Sequence, residues 1–374
     1  MDIVLIYPNA EGVLKQYVFG NLSNQTVEVG TWICLHPYVL GKSIKLALNI
    51  KLDPTINIKQ LFTRLVKEIY EKHLQAYVET IKPKFVITFI DDSGVFHRLS
   101  KNYTKDSTFI AIQNGMRPGC HFNRLSKLKD TESFDYIPNF FCHGYSDEIS
   151  FKNEGWRVDN YYPIGSLIGG IYWKEITKNT KPLYDICYVS SWTEDNRTNI
   201  SENDFEVYKA DIKANKILDQ NLKELIKDKG YSVIIALKYE DSKEELEHFY
   251  KTFGNNVHYQ KRRENFSTYK AIDKSRLTLS TYSTCTAEAI GIGKKGLFYN
   301  GFSYPGFKIP SAGICYYEGD NFTKFSNKVE SILELTDDEF KDSMSKDIKN
   351  IMNYDLSEMP HEKLYKFLHK GEMR

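Results

Sequence analysis

"LTLSTYSTCTAEAIGIGKKGLFYN", residues 277–300, passes from an apolar run through a cluster of small hydroxyl and thiol side chains into a helix-like stretch and leaves through a second apolar run. The order reads as strand, loop, helix, strand. Ser283, Thr284 and Thr286 suit a helix start, Glu288 falls about one turn inside it, and Gly291 or Gly293 can close it. In open α/β sheets, ligands bind beyond the carboxyl ends of the strands. A helix start placed there offers phosphate its free N–H groups and the positive end of its dipole, and small hydroxyl side chains permit close approach. A carboxylate one turn further in can accept from the two hydroxyls of a ribose. Such an arrangement suits a nucleotide sugar. The same residues also fit a plain helix cap with Glu288 facing water, and the pattern alone leaves both readings open.

Working outward, short apolar runs bounded by turn residues recur along the chain. They are "DIVLIYP", "KFVITFIDD", "STFIAIQNG", "NFFCHG" and "NYYPIGS", then "YDICYVSSW", "YSVIIALK", "NVHYQKR", "RLTLSTYS", "KKGLFYN" and "GICYYEG". Between them lie periodic stretches such as Leu61-Phe62-Leu65-Val66-Ile69 and Phe325-Val329-Ile332-Leu333, each placing one apolar stripe on a helix. Buried strands alternating with amphipathic helices predict an α/β fold with parallel sheets covered on both faces. The polar, Lys-rich stretch at 172–186 interrupts this rhythm, and a linker is expected near 174–183. Two Rossmann-like domains facing a central cleft follow: 1–175, and 183–374 as the nucleotide-sugar side. Thr336 with Glu339 forms a capping-box pattern at a helix start. The tail "HEKLYKFLHK" carries Leu364, Phe367 and Leu368 on one face and is expected to dock, which allows it to pack back on the first domain.

Composition narrows the function classes. The 374 residues carry 50 Lys+Arg against 49 Asp+Glu, a formal charge of +1, so no global field recruits nucleic acid and an anionic ligand must be met locally. Six scattered cysteines (Cys34, Cys120, Cys142, Cys187, Cys285, Cys315) without a CxxC indicate neither a disulfide scaffold nor a structural zinc site. The opening "MDIVLIYPNAEG" reads as a first strand rather than a signal peptide, and no run approaches a membrane span, so a cytoplasmic location is expected. "VLGKSIK" lacks the first glycine of a P-loop, where His36 stands. "QNGMRPG" lacks the dinucleotide fingerprint, so nicotinamide or flavin chemistry has no support. With no Asp-x-Asp pair at a strand end either, metal-independent chemistry without a cofactor is the expectation.

A second segment, residues 83–119, delivers polar groups from two strand ends. "FVITFI" ends in Asp91 and Asp92, and "STFIAI" ends in Gln113, Asn114, Gly115 and, two residues on, Arg117. Parallel neighbours would set both groups on one rim, where a carboxylate can act as general base and the amides can bind sugar hydroxyls. Asp92 in "DDSG" can equally cap the following helix. Ser190 and Ser191 end the first strand of the second half, where they can meet donor phosphate or simply turn the chain. Lys238, and Arg263 in the Lys261-Arg262-Arg263 run, can neutralise phosphate or form a solvated face. His143, after "NFFC", can approach the cleft or sit as an ordinary core histidine.

The string S-T-x-S-T-x-T-x-E-A-x-x-x-G-K at 280–294 resembles the donor-site signature of GT-B glycosyltransferases, and UDP-sugar 2-epimerases of the same fold carry similar residues. Residues 83–119 resemble the "TFIDN…IQNG-R" pattern of the bacterial surface carbohydrate biosynthesis proteins, transferases associated with O-antigen and capsule loci; Asp92 stands where that pattern has Asn. The resemblance implies a GT-B-like fold and a glycosyltransferase. A CMP- or UDP-linked donor would be held by Ser190, Ser191, Lys238, Arg263, Ser283, Thr284 and Glu288. Asp91 and Asp92 would be catalytic, and Gln113, Asn114, Gly115, Arg117 and His143 would bind a surface-polysaccharide or lipid-linked acceptor, with peripheral contact at the inner membrane. The same fold accommodates a nucleotide-sugar 2-epimerase, a CDP-polyol phosphotransferase or a non-catalytic nucleotide-binding scaffold.

Overall fold

The computed structural model describes residues 1–28, 37–47, 58–103, 106–119, 136–177, 181–194, 202–240, 242–262, 265–309 and 311–371. Cys34, His36, Cys120 and Arg263 therefore lie outside the described residues.

Eleven apolar runs and one further strand give, among the described residues, twelve strands in two parallel six-stranded sheets. The first sheet has the order β2-β1-β3-β4-β5-β6. Its strands are β1 (Ile3–Ile6), β2 (Asn24–Val27), β3 (Phe85–Thr88), β4 (Thr108–Ile112), β5 (Tyr136–Cys142) and β6 (Arg157–Pro163). The second has the order β12-β11-β10-β7-β8-β9, from β7 (Tyr184–Val189), β8 (Val233–Ala236), β9 (His258–Gln260), β10 (Ser275–Ser280), β11 (Lys295–Asn300) and β12 (Tyr316–Glu318). The sequence reading had no β2. Its residues, Asn-Gln-Thr-Val, lie on the sheet edge with one buried side chain among four, so no apolar run marks it.

Both faces of the first sheet are covered, as a parallel sheet requires. Along β1, Val4 and Ile6 enter one buried cluster while Ile3 and Leu5 enter another. The second of these clusters is completed from the far end of the chain, by Leu364 and Leu368 of the Pro360–Lys370 helix. That helix has Pro at its first turn, a bond from the Met359 N–H to Glu362 Oε2 at 2.7 Å, and Gly371 at φ +68° as its stop. The Thr336 box also forms: Thr336 N–H donates to Glu339 Oε2 at 2.7 Å, and Glu339 N–H returns a bond to Thr336 Oγ1 at 3.2 Å. Among the described residues no helix is long and apolar enough to cross a membrane.

Each sheet reverses its strand order once. In the first sheet the reversal lies between β1 and β3; in the second it lies between β7 and β10. Adjacent strand ends at such a point splay their loops apart and leave a crevice. In the second sheet the polar turn after β10 lies at the reversal, whereas in the first the polar groups follow β3, β4 and β5, beside it.

Candidate functional site

At the second reversal, β10 ends in Ser280 and the chain turns into the Thr284–Gly291 helix. Ser283 is the N-cap, its Oγ accepting from Cys285 N–H at 3.3 Å. Ser280 Oγ accepts from Ser283 N–H at 3.1 Å and pairs with Thr286 Oγ1 at 2.8 Å, which sets the turn. Thr281 Oγ1 meets Ser191 Oγ at 2.6 Å, bridging the ends of β10 and β7, and Ser191 donates onward to Asn215 Oδ1 at 2.7 Å. Gly293, at φ +83°, lies just past the helix.

This turn faces the other lobe. Thr284 Oγ1 accepts from Met116 N–H, in the loop after β4, at 2.9 Å. One turn into the helix, Glu288 is 2% exposed, and its Oε2 has no hydrogen-bond partner. Burial pushes its pKa up to about 7, against the hydroxyls of Ser166 and Tyr269 and the Cys285 thiol, which pull it down. The buried hydroxyl of Tyr354 is likewise unpartnered. Both lie against Gly169 in the Leu167–Ile171 helix: a Cβ there would stand 2.3 Å from Tyr354 Oη and 3.1 Å from Glu288 Cδ. Glu288 thus lies on the floor of the seam between the lobes, packed against the segment that leads from one to the other.

Across the seam, Arg117 grips Asp91 with two parallel bonds. Nε donates to Oδ2 at 3.1 Å, and a terminal nitrogen donates to Oδ1. The same guanidinium reaches Asn114 Oδ1 at 3.0 Å and lies 3.9 Å from Asp92. Asn114 N–H also donates to Asp91, at 3.3 Å. Asp91 is fully desolvated, and burial pushes its pKa up to about 6 despite Arg117. Next to Asp92, Ser93 Oγ caps the following helix, accepting from Phe96 N–H at 3.3 Å. Gln113 organises the rim. Its amide donates to Asp147 Oδ1 at 3.0 Å and to Gly115 O at 2.9 Å, and its carbonyl accepts from His143 N–H at 3.0 Å. The His143 ring is buried with neither nitrogen bonded. Burial, and then the Arg117 charge, lower its pKa to about 3, so it is neutral. His143 O accepts from Asn353 N–H at 2.7 Å, tying this rim to the segment that carries Tyr354.

The remaining predicted residues have local partners. Ser190 donates to Glu245 Oε1 at 2.6 Å, and the same carboxylate accepts from the N–H groups of Lys238 at 2.9 Å and Tyr239 at 3.0 Å. Lys238 Nζ donates to Trp192 O at 3.2 Å, and Arg262 donates to Lys238 O at 3.0 Å. Sequence reasoning missed Glu245, Asp147 and Tyr354. For Glu245 a signal existed: Ser242 with Glu245 reads as a capping box, and Ser242 Oγ does accept from Glu245 N–H at 3.1 Å. Asp147 and Tyr354 stand in unremarkable contexts and acquire their places only through the fold.

Two Rossmann-like lobes, each built on a parallel six-stranded sheet and meeting through Thr284 and Met116, define the GT-B class of α/β fold. A family profile described as "putative O-antigen biosynthesis protein" matches residues 110–372, and the chain belongs to this family. No curated protein sequence matches. Among solved structures, UDP-GlcNAc 2-epimerase from Neisseria meningitidis bound to UDP-GlcNAc is similar, with a TM-score of 0.52, 14% identity, and coverage of 99% of both chains. Sucrose-phosphate synthase from Thermosynechococcus elongatus has a TM-score of 0.51 at 9% identity, covering 94% of each chain. The trehalose 6-phosphate synthase from Burkholderia multivorans has a TM-score of 0.52 at 11% identity, covering 95% of this chain and 94% of that one. At such identities the likeness concerns the fold.

Proposed function

We propose that the protein is a glycosyltransferase that moves a sugar from a CMP- or UDP-linked donor to a surface-polysaccharide or lipid-linked acceptor. The observation that carries this reading is the position of the Thr284–Gly291 helix. Its start faces the opposite lobe at Met116, and one turn in lies a buried carboxylate with an oxygen unpartnered. In the proposal the donor phosphate takes the place of the Met116 contact at the helix start, where amide dipoles and small hydroxyls stabilise the departing charge. Glu288 accepts from the ribose hydroxyls.

On the acceptor side, Asp91 is the proposed base, with Asp92 beside it. An acceptor hydroxyl entering the rim competes with Arg117 for the carboxylate, and the elevated pKa suits proton transfer near neutrality. Asn114, Gly115 and Gln113 shape the rim, while neutral His143 is proposed to border the acceptor. Ser191 and Lys238 stand near the donor phosphates; Ser190 acts through Glu245. Work at the cytoplasmic face of the membrane, without a metal or cofactor, belongs to the same proposal.

The test is thermal-shift titration with UDP, CMP, GDP and CDP. A ligand at a hundredfold its Kd stabilises by about 2.7 kcal/mol, and Glu288→Ala should remove the shift. Asp91→Asn should keep the shift and lose turnover. If no nucleotide stabilises the protein, the donor reading falls. The end-to-end likeness to a UDP-GlcNAc 2-epimerase supports a second reading, 2-epimerisation. Donor incubated without acceptor separates the two: an epimerase converts it, whereas a transferase leaves its sugar configuration unchanged.

A further inference from the structure

On the outer flank of the second lobe an open groove of about 1000 Å³ runs between the loop after β7 and the Lys243–Phe253 helix. No predicted site residue lines it. Its volume is at the upper end of the range for small-molecule pockets, roughly 300–1,000 Å³, which suits an oligosaccharide better than a single sugar.

The lining offers aromatic faces that are fixed in place. Trp192 stands edge-on to Tyr239 at 6.1 Å, and its backbone is held at both ends, the main-chain N–H donating to Ser190 Oγ at 3.1 Å and the main-chain carbonyl accepting from Lys238 Nζ at 3.2 Å. Tyr250, although 52% exposed, is held by its hydroxyl on Asn255 Oδ1 at 3.1 Å, and its ring lies 6.4 Å from Tyr259. Tyr259 is itself tied to Gly254 O at 2.7 Å. Rings held partly open to water lose little freedom when a flat apolar face stacks on them.

Among the described residues the lining includes Glu194, Glu244 and Glu247 with Lys251 and Lys261, side chains of both signs that can accept from and donate to hydroxyl groups. Hydroxyl-rich ligands suit it, since each carboxylate accepts from them. His248 adds an oriented group. Its Nε2 is bonded at 2.8 Å to Asp219, a carboxylate only 4% exposed, which fixes the ring's orientation.

We infer that this groove binds an uncharged oligosaccharide, the non-reacting portion of the acceptor glycan. Trp192 follows Ser190 and Ser191 directly, so one wall of the groove belongs to the same loop that leaves β7. The word "acceptor" rests on the transferase reading; glycan binding at the groove does not.

Isothermal titration of the full chain with a panel of neutral tetrasaccharides (β-1,4-linked N-acetylglucosamine, α-1,4-linked glucose and α-1,6-linked mannose) tests it, with an α-2,8-linked sialic acid tetramer as the anionic control. Saturable binding of at least one neutral member is expected. Tyr250→Ala, at an exposed position, should weaken it at least tenfold with an unchanged melting temperature, and Glu247→Gln should weaken it less. Glu288→Ala should retain it. Failure of every neutral member to bind, equal binding by Tyr250→Ala, or preference for the sialic acid tetramer would each overturn the assignment. Nucleotide shifts are read separately, so a donor-site failure leaves this result standing, and the reverse holds.

Discussion

Glu288 is a carboxylate kept from water with one oxygen unbonded, and that has a consequence with a definite sign. Its folded pKa, about 7, stands above the ordinary value of 4.5. Below the ordinary value both folded and unfolded chains are protonated and nothing is lost. As pH rises towards 7 the unfolded chain releases a proton that the folded chain keeps, so stability falls by about 1.4 kcal/mol per unit. Above 7 the cost is constant at about 3 kcal/mol. Asp91 and Asp147, each raised to about 6, add losses of the same sign. Glu288→Gln isolates the one group: its stability gain over the parent should grow from near zero at pH 4 to about 3 kcal/mol at pH 8, read by urea unfolding. Ribose hydroxyls favour the charged carboxylate, so nucleotide binding should expel a proton. Affinity should rise by up to about tenfold per pH unit below 7 and level off above it. Affinity that falls over this range would remove Glu288 from the ribose.

The Leu167–Ile171 helix comes close to the Thr284–Gly291 helix, and Gly169 makes that approach possible. A methyl group there meets Tyr354 Oη at 2.3 Å, so Gly169→Ala should cost about 1–3 kcal/mol by overpacking. It should also weaken nucleotide binding through the displaced Glu288, whereas a substitution that merely loosened the lobe would lower the melting temperature and leave affinity alone. Calorimetry and nucleotide titration on the same variant separate these outcomes. At this scale much was legible. Buried strands such as Ile186–Val189 announce themselves by apolar runs, and the Thr336 box by its spacing. Edge strand β2, with three polar residues of four, did not. Caps with two adjacent candidates are harder: Ser93 caps the helix after β3, and Asp92 beside it lies 3.9 Å from Arg117. Ser190, which the sequence allows either to meet donor phosphate or to turn the chain, gives its hydroxyl to Glu245, 55 residues away, and no local pattern discloses such a pairing.

Across the whole molecule, the two lobes are joined by more than the linker. The chain completes its second sheet at β12 and then returns, placing Leu364 and Leu368 in the same buried cluster as Ile3, Leu5 and Ile87. On the way, Asn353 bonds the His143 carbonyl and Tyr354 lines the Glu288 floor, so the final segment touches both halves of the candidate site. The amphipathic face of that helix is visible in the sequence; the contacts of residues 353–354 are not, because they depend on how two separately folded sheets are set against each other. The arrangement makes the first lobe's core depend on the last residues of the chain. Leu364, fully buried, should cost about 2–5 kcal/mol when truncated to Ala, because the cavity cannot close against a rigid sheet. If the helix belongs energetically to the first lobe, hydrogen exchange should accelerate in β1 and β3 while β8 and β10 keep their protection. Equal acceleration in both sheets would show the lobes to unfold as one unit. Unchanged exchange in β1 would mean that the helix rests on the first lobe without supporting it.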